Sequence, residues 1–161
     1  MTHETGEWAL RCLLLCLAVT PARRWLGWSS LAPYRRSFGL LASTYAVCHF
    51  LVFLVFDLAL DPAFLAEEIL ERPYITLGFA ALLCLLPLAV TSTRGWQRRL
   101  GRRWIRLHRL AYLAGGLAVL HFLWLAKADL AAPLAHAAVL GLLFGLRRLP
   151  QRRKMPAKAS T

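Results

Sequence analysis

The chain has 161 residues, of which 58% are hydrophobic, and it carries 20 Lys and Arg against 8 Asp and Glu. This composition is too apolar for an ordinary soluble domain. A net charge of +12 would suit a nucleic-acid-binding protein, but the basic residues form three clusters separated by apolar runs, which is typical of membrane proteins. The composition therefore indicates an all-α integral membrane protein and argues against nucleic acid as a partner.

Five apolar segments predict about five transmembrane helices. They are residues 8–22, 37–60, 73–91, 105–126 and 131–146. The first segment is short for a span and contains Arg11. Pro73 suits the first turn of the third segment, and Pro87 is expected to kink that helix near its end. Residues 1–148 are interpreted as one membrane domain, and 149–161 as a basic, disordered cytoplasmic tail that meets anionic lipid.

The distribution of charge predicts the orientation of the chain. All of the 20 basic residues except Arg11, Arg72 and Lys127 lie after the first, third or fifth segment or at the start of the fourth. The loop between the second and third segments is acidic instead. By the positive-inside rule the basic side is cytoplasmic. The sequence thus predicts a multi-pass protein of the bacterial inner membrane, with residue 1 in the periplasm and the carboxyl terminus in the cytoplasm.

Two histidines are expected to lie at the same depth. His49 follows Arg36 by thirteen residues and His121 follows Arg109 by twelve, and both segments begin on the same side. Histidines from two neighbouring helices can bind a haem iron from both faces. Small residues accompany both of them, which permits close approach of a macrocycle or a helix. The alternative interpretation is hydrogen bonding between helices among ordinary small-residue packing.

His108 does not pair with His121 in the same way. On one continuous helix the thirteen intervening residues place the two directions roughly 140° apart. The second segment offers no histidine at the inner depth. A second bis-histidine haem is therefore not predicted, and three roles stay open for His108: a single ligand, a contact to a propionate or a quinone, or an interfacial residue. His136 is interpreted as a packing residue and His3 as solvated.

Three cations are placed near the outer interface, at about the depth expected for the haem. Arg11, Arg72 and Lys127 either pair with haem propionates or anchor the helices by extending to the interface. No nucleophile elbow, P-loop or dinucleotide-binding motif occurs. The chain is therefore not expected to take hydride from NAD(P)H by a known fold.

Several motifs together resemble the MsrQ (YedZ) family of the ferric-reductase-like transmembrane group. The matching stretches are HETGEWALR (3–11), LAVTPARR (17–24), RRSFGLLA (35–42), HFLVF (49–53), ERPYITLG (71–78), PLAVTST (87–93), LGRRWIRLHRLAYL (100–113) and LHFLWLAK (120–127). His49, His108 and His121 fall on the three recurrent histidine positions of that family. Its members usually have six spans, which implies a further helix before the HETG stretch.

The resemblance also implies a function. A haem b membrane subunit, with FMN as a further associated cofactor, would pass electrons from the quinone pool or a cytoplasmic flavin reductase to the periplasmic molybdopterin enzyme MsrP. That partner would carry out the repair of methionine sulfoxide, and this chain would act as the electron-transfer subunit. Two alternatives stay open: a cytochrome b-type ferric reductase with another acceptor, and a haem-free membrane scaffold or transporter.

Overall fold

The computed structural model describes residues 2–58, 62–126 and 129–149, without the side chains of residues 2, 3 and 62–64. The predictions for Lys127, for the side chain of His3 and for residues 150–161 fall outside these ranges. The helices are α1 (Thr2–Pro21), α2 (Tyr34–Phe56), α3 (Pro62–Glu71), α4 (Pro73–Val90), α5 (Arg94–Leu100), α6 (Arg102–Leu107), α7 (Leu110–Leu125) and α8 (Ala131–Arg148). No strand occurs within the described ranges.

Each predicted apolar segment contains one long helix, but the fourth segment is not a single helix. The chain tightens at His108 and Arg109, between α6 and α7. There the amide of Arg109 donates to Arg106 O at 3.2 Å, and the amide of Tyr112 donates to Arg109 O at 3.0 Å. These are the shorter-range hydrogen bonds of a 3₁₀ turn. The angle predicted between the directions of His108 and His121 assumed one continuous helix, so it does not apply to this interrupted segment.

Short helices α3 and α5 lie where only loops were expected, and α6 begins in the loop before the fourth segment. They are rich in charged residues, which hides them from a search for apolar segments. Pro62 opens α3, and the side chain of Thr93 accepts a hydrogen bond from the amide of Trp96 at the start of α5. Both are helix-start signals that the sequence contains.

The long helices pack side by side, with α1 against α2 and α4 against α7 as the most extensive pairs. Helix α2 also contacts α4, and α1 also contacts α7 and α8. Leu10, Leu14 and Leu17 of α1 lie in the core beside α4, α7 and α8, with Leu17 fully buried. Most other apolar surface stays outside: Trp124 is 59% exposed and Leu142 is 62% exposed. Apolar exposure on this scale is typical of surfaces that face lipid.

Two described helices, α2 and α4, are long and apolar enough to cross a membrane by length and composition alone. The other three long helices do not meet that criterion, and α7 has only 16 residues. The predicted number of five spans therefore stays a prediction.

The two ends of the bundle carry opposite charge. The acidic end contains Glu4, Glu7, Asp57, Glu67, Glu68, Glu71 and Asp129. The basic end contains the arginines that follow α1, surround α5 and α6, and close α8. Side-chain hydrogen bonds join the elements at this basic end. Trp25 Nε1 donates to Leu146 O at 3.1 Å, and Trp104 Nε1 donates to Thr91 O at 2.9 Å.

Arg147 connects three helices at the basic end. Its Nη2 donates to Leu17 O at 2.5 Å, its Nη1 donates to the Tyr112 hydroxyl, and the guanidinium lies 4.6 Å from the centre of the Tyr112 ring. In a regular helix, Leu17 O would accept from the amide of residue 21, but Pro21 has no N–H. Arg147 thus supplies a donor at a carbonyl that its own helix does not serve in the regular way.

Candidate functional site

A cavity of about 490 Å³ opens at the acidic end of the bundle. Five helices surround it: α1, α2, α3, α4 and α7. Its walls are mainly apolar, and they include Leu10, Phe50, Phe53, Ile75, Phe79 and Phe122. Charged groups occur where α3 approaches it, namely Glu68 and Arg72, together with Glu7 and Asp57. A mainly apolar cavity of this size with a few polar groups is typical of a small-molecule or cofactor site.

His49 and His121 face each other in this cavity, from α2 and α7. Their ring centres are 6.4 Å apart and the ring planes are inclined by 73°. The structure thus brings together the two histidines that the charge pattern places at equal depth. Imidazole nitrogens bind metals at about 2.0–2.1 Å, so two rings on opposite sides of one ion have centres roughly 6 Å apart. The observed separation is therefore one at which the two histidines could hold one metal ion between them.

Hydrogen bonds at the Nδ1 atoms orient both rings. His121 Nδ1 donates to the backbone carbonyl of Tyr74 at 2.6 Å. His49 Nδ1 lies 3.3 Å from the Thr5 hydroxyl. In metal-binding histidines a bond at one ring nitrogen fixes the tautomer and leaves the other nitrogen to coordinate. The carbonyl of Tyr74 can only accept, so it leaves Nε2 of His121 as the coordinating atom. The Thr5 hydroxyl can donate or accept, and His49 Nε2 coordinates when Nδ1 donates to that hydroxyl.

Each histidine ring also lies against a glycine of a neighbouring helix. A Cβ added at Gly78 would come within 2.9 Å of both Cε1 and Nδ1 of His121. A Cβ added at Gly6 would come within 3.0 Å of His49 Cε1 and 3.1 Å of its Nδ1. A side chain at Gly78 therefore requires the His121 ring to shift, whereas at Gly6 the His49 ring would have to move by only a few tenths of an ångström.

The two described arginines that were predicted to bind the cofactor differ in position. Arg72 lines the cavity, pairs with Glu68 at 3.1 Å and donates to the Tyr74 hydroxyl at 3.3 Å. That hydrogen bond, together with Glu68, raises the pKa of Arg72, so the side chain stays charged. Arg11 does not line the cavity; it pairs with Glu7 and lies 5.0 Å from the centre of the Trp8 ring. The role of either arginine toward a propionate stays a prediction.

His108 lies far from the pair, at the basic end. Its ring stacks on Trp104 with centres 3.8 Å apart, and its Nδ1 is 3.2 Å from Trp104 O. These contacts with Trp104 do not decide among the three roles left open for His108. His136 Nδ1 donates to Ala132 O at 2.7 Å, and its ring meets Phe122 edge-on. These are the contacts of a packing residue.

Sequence reasoning missed the groups that position the two rings. No separate role was predicted for these groups, which lie within the motifs HETGEWALR and RPYITLG: Thr5, Gly6, Tyr74 and Gly78. The signal that the sequence offered was that one motif contains Thr5 and Gly6, and the other contains Tyr74 and Gly78. A single sequence does not indicate which of the two motifs lies next to which histidine.

Comparison with known proteins identifies the family. Residues 5–132 match the family described as ferric reductase like transmembrane component. A protein of Xanthomonas oryzae pv. oryzae is 49% identical over 98% of this chain and 76% of its own length, and one of Rhodospirillum rubrum is 49% identical over 95% and 74%. A third, of Xanthomonas axonopodis pv. citri, is 52% identical over 90% of this chain and 66% of its own length.

All three relatives are named protein-methionine-sulfoxide reductase heme-binding subunit MsrQ. No solved structure matches the chain. The match covers most of the described helices, including both histidines of the cavity. The chain therefore belongs to the family of ferric reductase like transmembrane components, among its MsrQ members.

Proposed function

We propose that this chain is the haem-binding, electron-transferring membrane subunit of a protein-methionine-sulfoxide reductase system. The observation that carries the proposal is the pair His49 and His121, whose ring centres lie 6.4 Å apart in an apolar cavity. The names of the MsrQ relatives support the same cofactor and system. We assign both residues as axial ligands of a haem b.

The residues of the chain have separate tasks in this proposal. A haem bound here supplies one-electron redox chemistry. His49 and His121 would hold the iron, and the Nδ1 contacts with Thr5 and Tyr74 O would keep the rings in a fixed orientation. The mainly apolar walls would lower the polarity around the haem and so help to set its redox potential. The sulfoxide chemistry belongs to a partner, so we regard this chain as a subunit of an oxidoreductase.

Partners and orientation follow from the same proposal. We infer that the basic end faces the cytoplasm of a bacterial inner membrane, because arginine is concentrated there and carboxylates at the other end. Electrons would then enter from the quinone pool or a cytoplasmic flavin reductase and leave to periplasmic MsrP beside the cavity. FMN as a second cofactor and His108 as a further ligand stay predictions of the family resemblance.

The reduced-minus-oxidised visible spectrum of the purified full chain tests the cofactor. We expect a low-spin b-type spectrum, since two imidazoles provide both axial ligands. A colourless protein, purified from cells with ample haem, would refute the proposal and favour a haem-free scaffold or transporter.

A second candidate is a cytochrome b-type ferric reductase, which the description of the matched family favours. Reoxidation of the reduced protein separates the two. Rapid reoxidation by purified MsrP, and not by a chelated ferric salt, supports the sulfoxide reductase assignment. The reverse preference supports the ferric reductase.

Alanine at Gly78 is expected to weaken haem retention by about tenfold, the lower end of the effect of groups that orient metal ligands. The added Cβ would contact the His121 ring at 2.9 Å, and the bond to Tyr74 O prevents the ring from moving away without loss. Gly6→Ala should have a smaller effect, since its contacts begin at 3.0 Å. The haem-to-protein absorbance ratio measures both.

Gly116→Ala is the matched control, because a Cβ there meets nothing within 4 Å. It should retain haem as the parent does. Equal retention in Gly78→Ala and Gly116→Ala would show that the close contact with His121 does not constrain the ligand.

A further inference from the structure

A second cavity, of about 440 Å³, opens at the basic end between the start of α2 and the junction of α4 with α5. Arg36 and Ser37 of α2 line one side of it, and Ser92, Arg94 and Gln97 line the other. It is separate from the histidine cavity and shares no lining residue with it. The proposed haem site does not include it.

The charge in this second cavity is uncompensated within the described part of the chain. The ion pairs there are Arg11 with Glu7 and Arg72 with Glu68, both away from the basic end. All described carboxylates of Asp and Glu lie at the acidic end. Arg36 and Arg94 therefore line one cavity without a carboxylate partner from these residues. Two guanidinium groups are well suited to bind a phosphate, because each offers several donors in a planar fork.

Apolar surface leads away from the cavity along both helices. On α2, one turn beyond Ser37, Leu41 begins a stripe of exposed side chains at helical spacing that passes through Thr44 and Cys48 to Leu51, about 15 Å along the helix and so within one leaflet. On α4, exposed Leu83, Leu86 and Val90 form a stripe that ends one turn before Arg94. The exposed fractions of Leu51 and Val90 are 49% and 62%. A free phosphate would not cover this apolar surface, whereas the acyl chains of a phospholipid would.

We propose that this cavity binds the headgroup phosphate of an anionic phospholipid, with Arg36 and Arg94 at the phosphate and the acyl chains along the two stripes. Its position at the basic end of two candidate spans places it at headgroup depth. Basic pockets between spanning helices on the cytoplasmic side are a known type of lipid site. The proposal does not depend on haem binding or on the electron acceptor.

Native mass spectrometry of the full chain in detergent tests this site. The parent is titrated with phosphatidylglycerol and, separately, with phosphatidylcholine, which has the same phosphate but no net charge. The double variant Arg36→Gln/Arg94→Gln is expected to bind phosphatidylglycerol about 25-fold more weakly, since each arginine near an anionic headgroup contributes about a factor of five. Arg36→Lys/Arg94→Lys should recover part of the binding, because the charge returns without the planar fork.

Arg102→Gln/Arg103→Gln is the matched control, since it removes the same charge from exposed positions of α6 that do not line the cavity. It should bind as the parent does. An equal loss in both double variants would overturn the site, because binding would then follow net charge alone. Displacement of phosphatidylglycerol by millimolar inorganic phosphate, at constant ionic strength, would overturn the lipid assignment in favour of a soluble phosphate compound.

Discussion

Alanine at His49 or at His121 is expected to lower the haem-to-protein ratio by more than about tenfold, because removal of a ligand exceeds the effect of removing a group that orients one. The two rings lie on opposite sides of one cavity, so neither can take the place of the other. The reduced-minus-oxidised spectrum of each purified variant measures the loss. A residual spectrum should lack the low-spin signature of two imidazole ligands.

His136→Ala provides the control for this prediction. Its ring bonds to Ala132 O of its own helix and packs on Phe122, so it contributes a similar side chain without belonging to the pair. It should retain haem as the parent does. If His108→Ala alone removed the haem, the assignment of His49 and His121 would be wrong, and the site would lie at the basic end.

Methionine at Arg147 is expected to lower the free energy of unfolding by about 2–3 kcal/mol, the cost of leaving two partly buried acceptors without a donor. Two acceptors lose their partner at once, Leu17 O and the Tyr112 hydroxyl. Methionine keeps much of the apolar stem, so the change tests the guanidinium. Denaturation followed by circular dichroism in one fixed detergent measures the difference.

Pro21→Ala should recover about 1 kcal/mol in the Arg147→Met background, because it returns an N–H to the helix that can donate to Leu17 O. In the parent background the same change should have a smaller effect, since Arg147 already serves that carbonyl. Arg148→Met, at the exposed neighbouring position, is the control and should be neutral. Purely additive effects of the two changes would contradict the proposed link between Pro21 and Arg147.

Hydropathy and charge predicted the long helices and the approach of His49 to His121. Both predictions depend on the length of each apolar segment and on the number of residues from its charged end, and a single sequence provides both quantities. The partners of the two rings depend on the rotation of α1 and α4 about their axes, which it does not contain. Likewise, the break at His108 arises from local hydrogen bonding within a segment of unbroken helical composition. The link from Pro21 to Arg147 joins residues 126 positions apart, which no periodicity indicates.

The supports of the two histidines differ in how mutation can reach them. His49 contacts a hydroxyl that a single substitution at Thr5 removes or replaces. His121 bonds to the main chain at Tyr74, and every residue type at that position provides the same carbonyl. The hydrogen bond to His49 can thus be removed or replaced by one side-chain substitution, whereas the hydrogen bond to His121 persists whatever side chain stands at position 74. Differences in ligand hydrogen bonding among related chains should therefore concentrate on the His49 side, at α1.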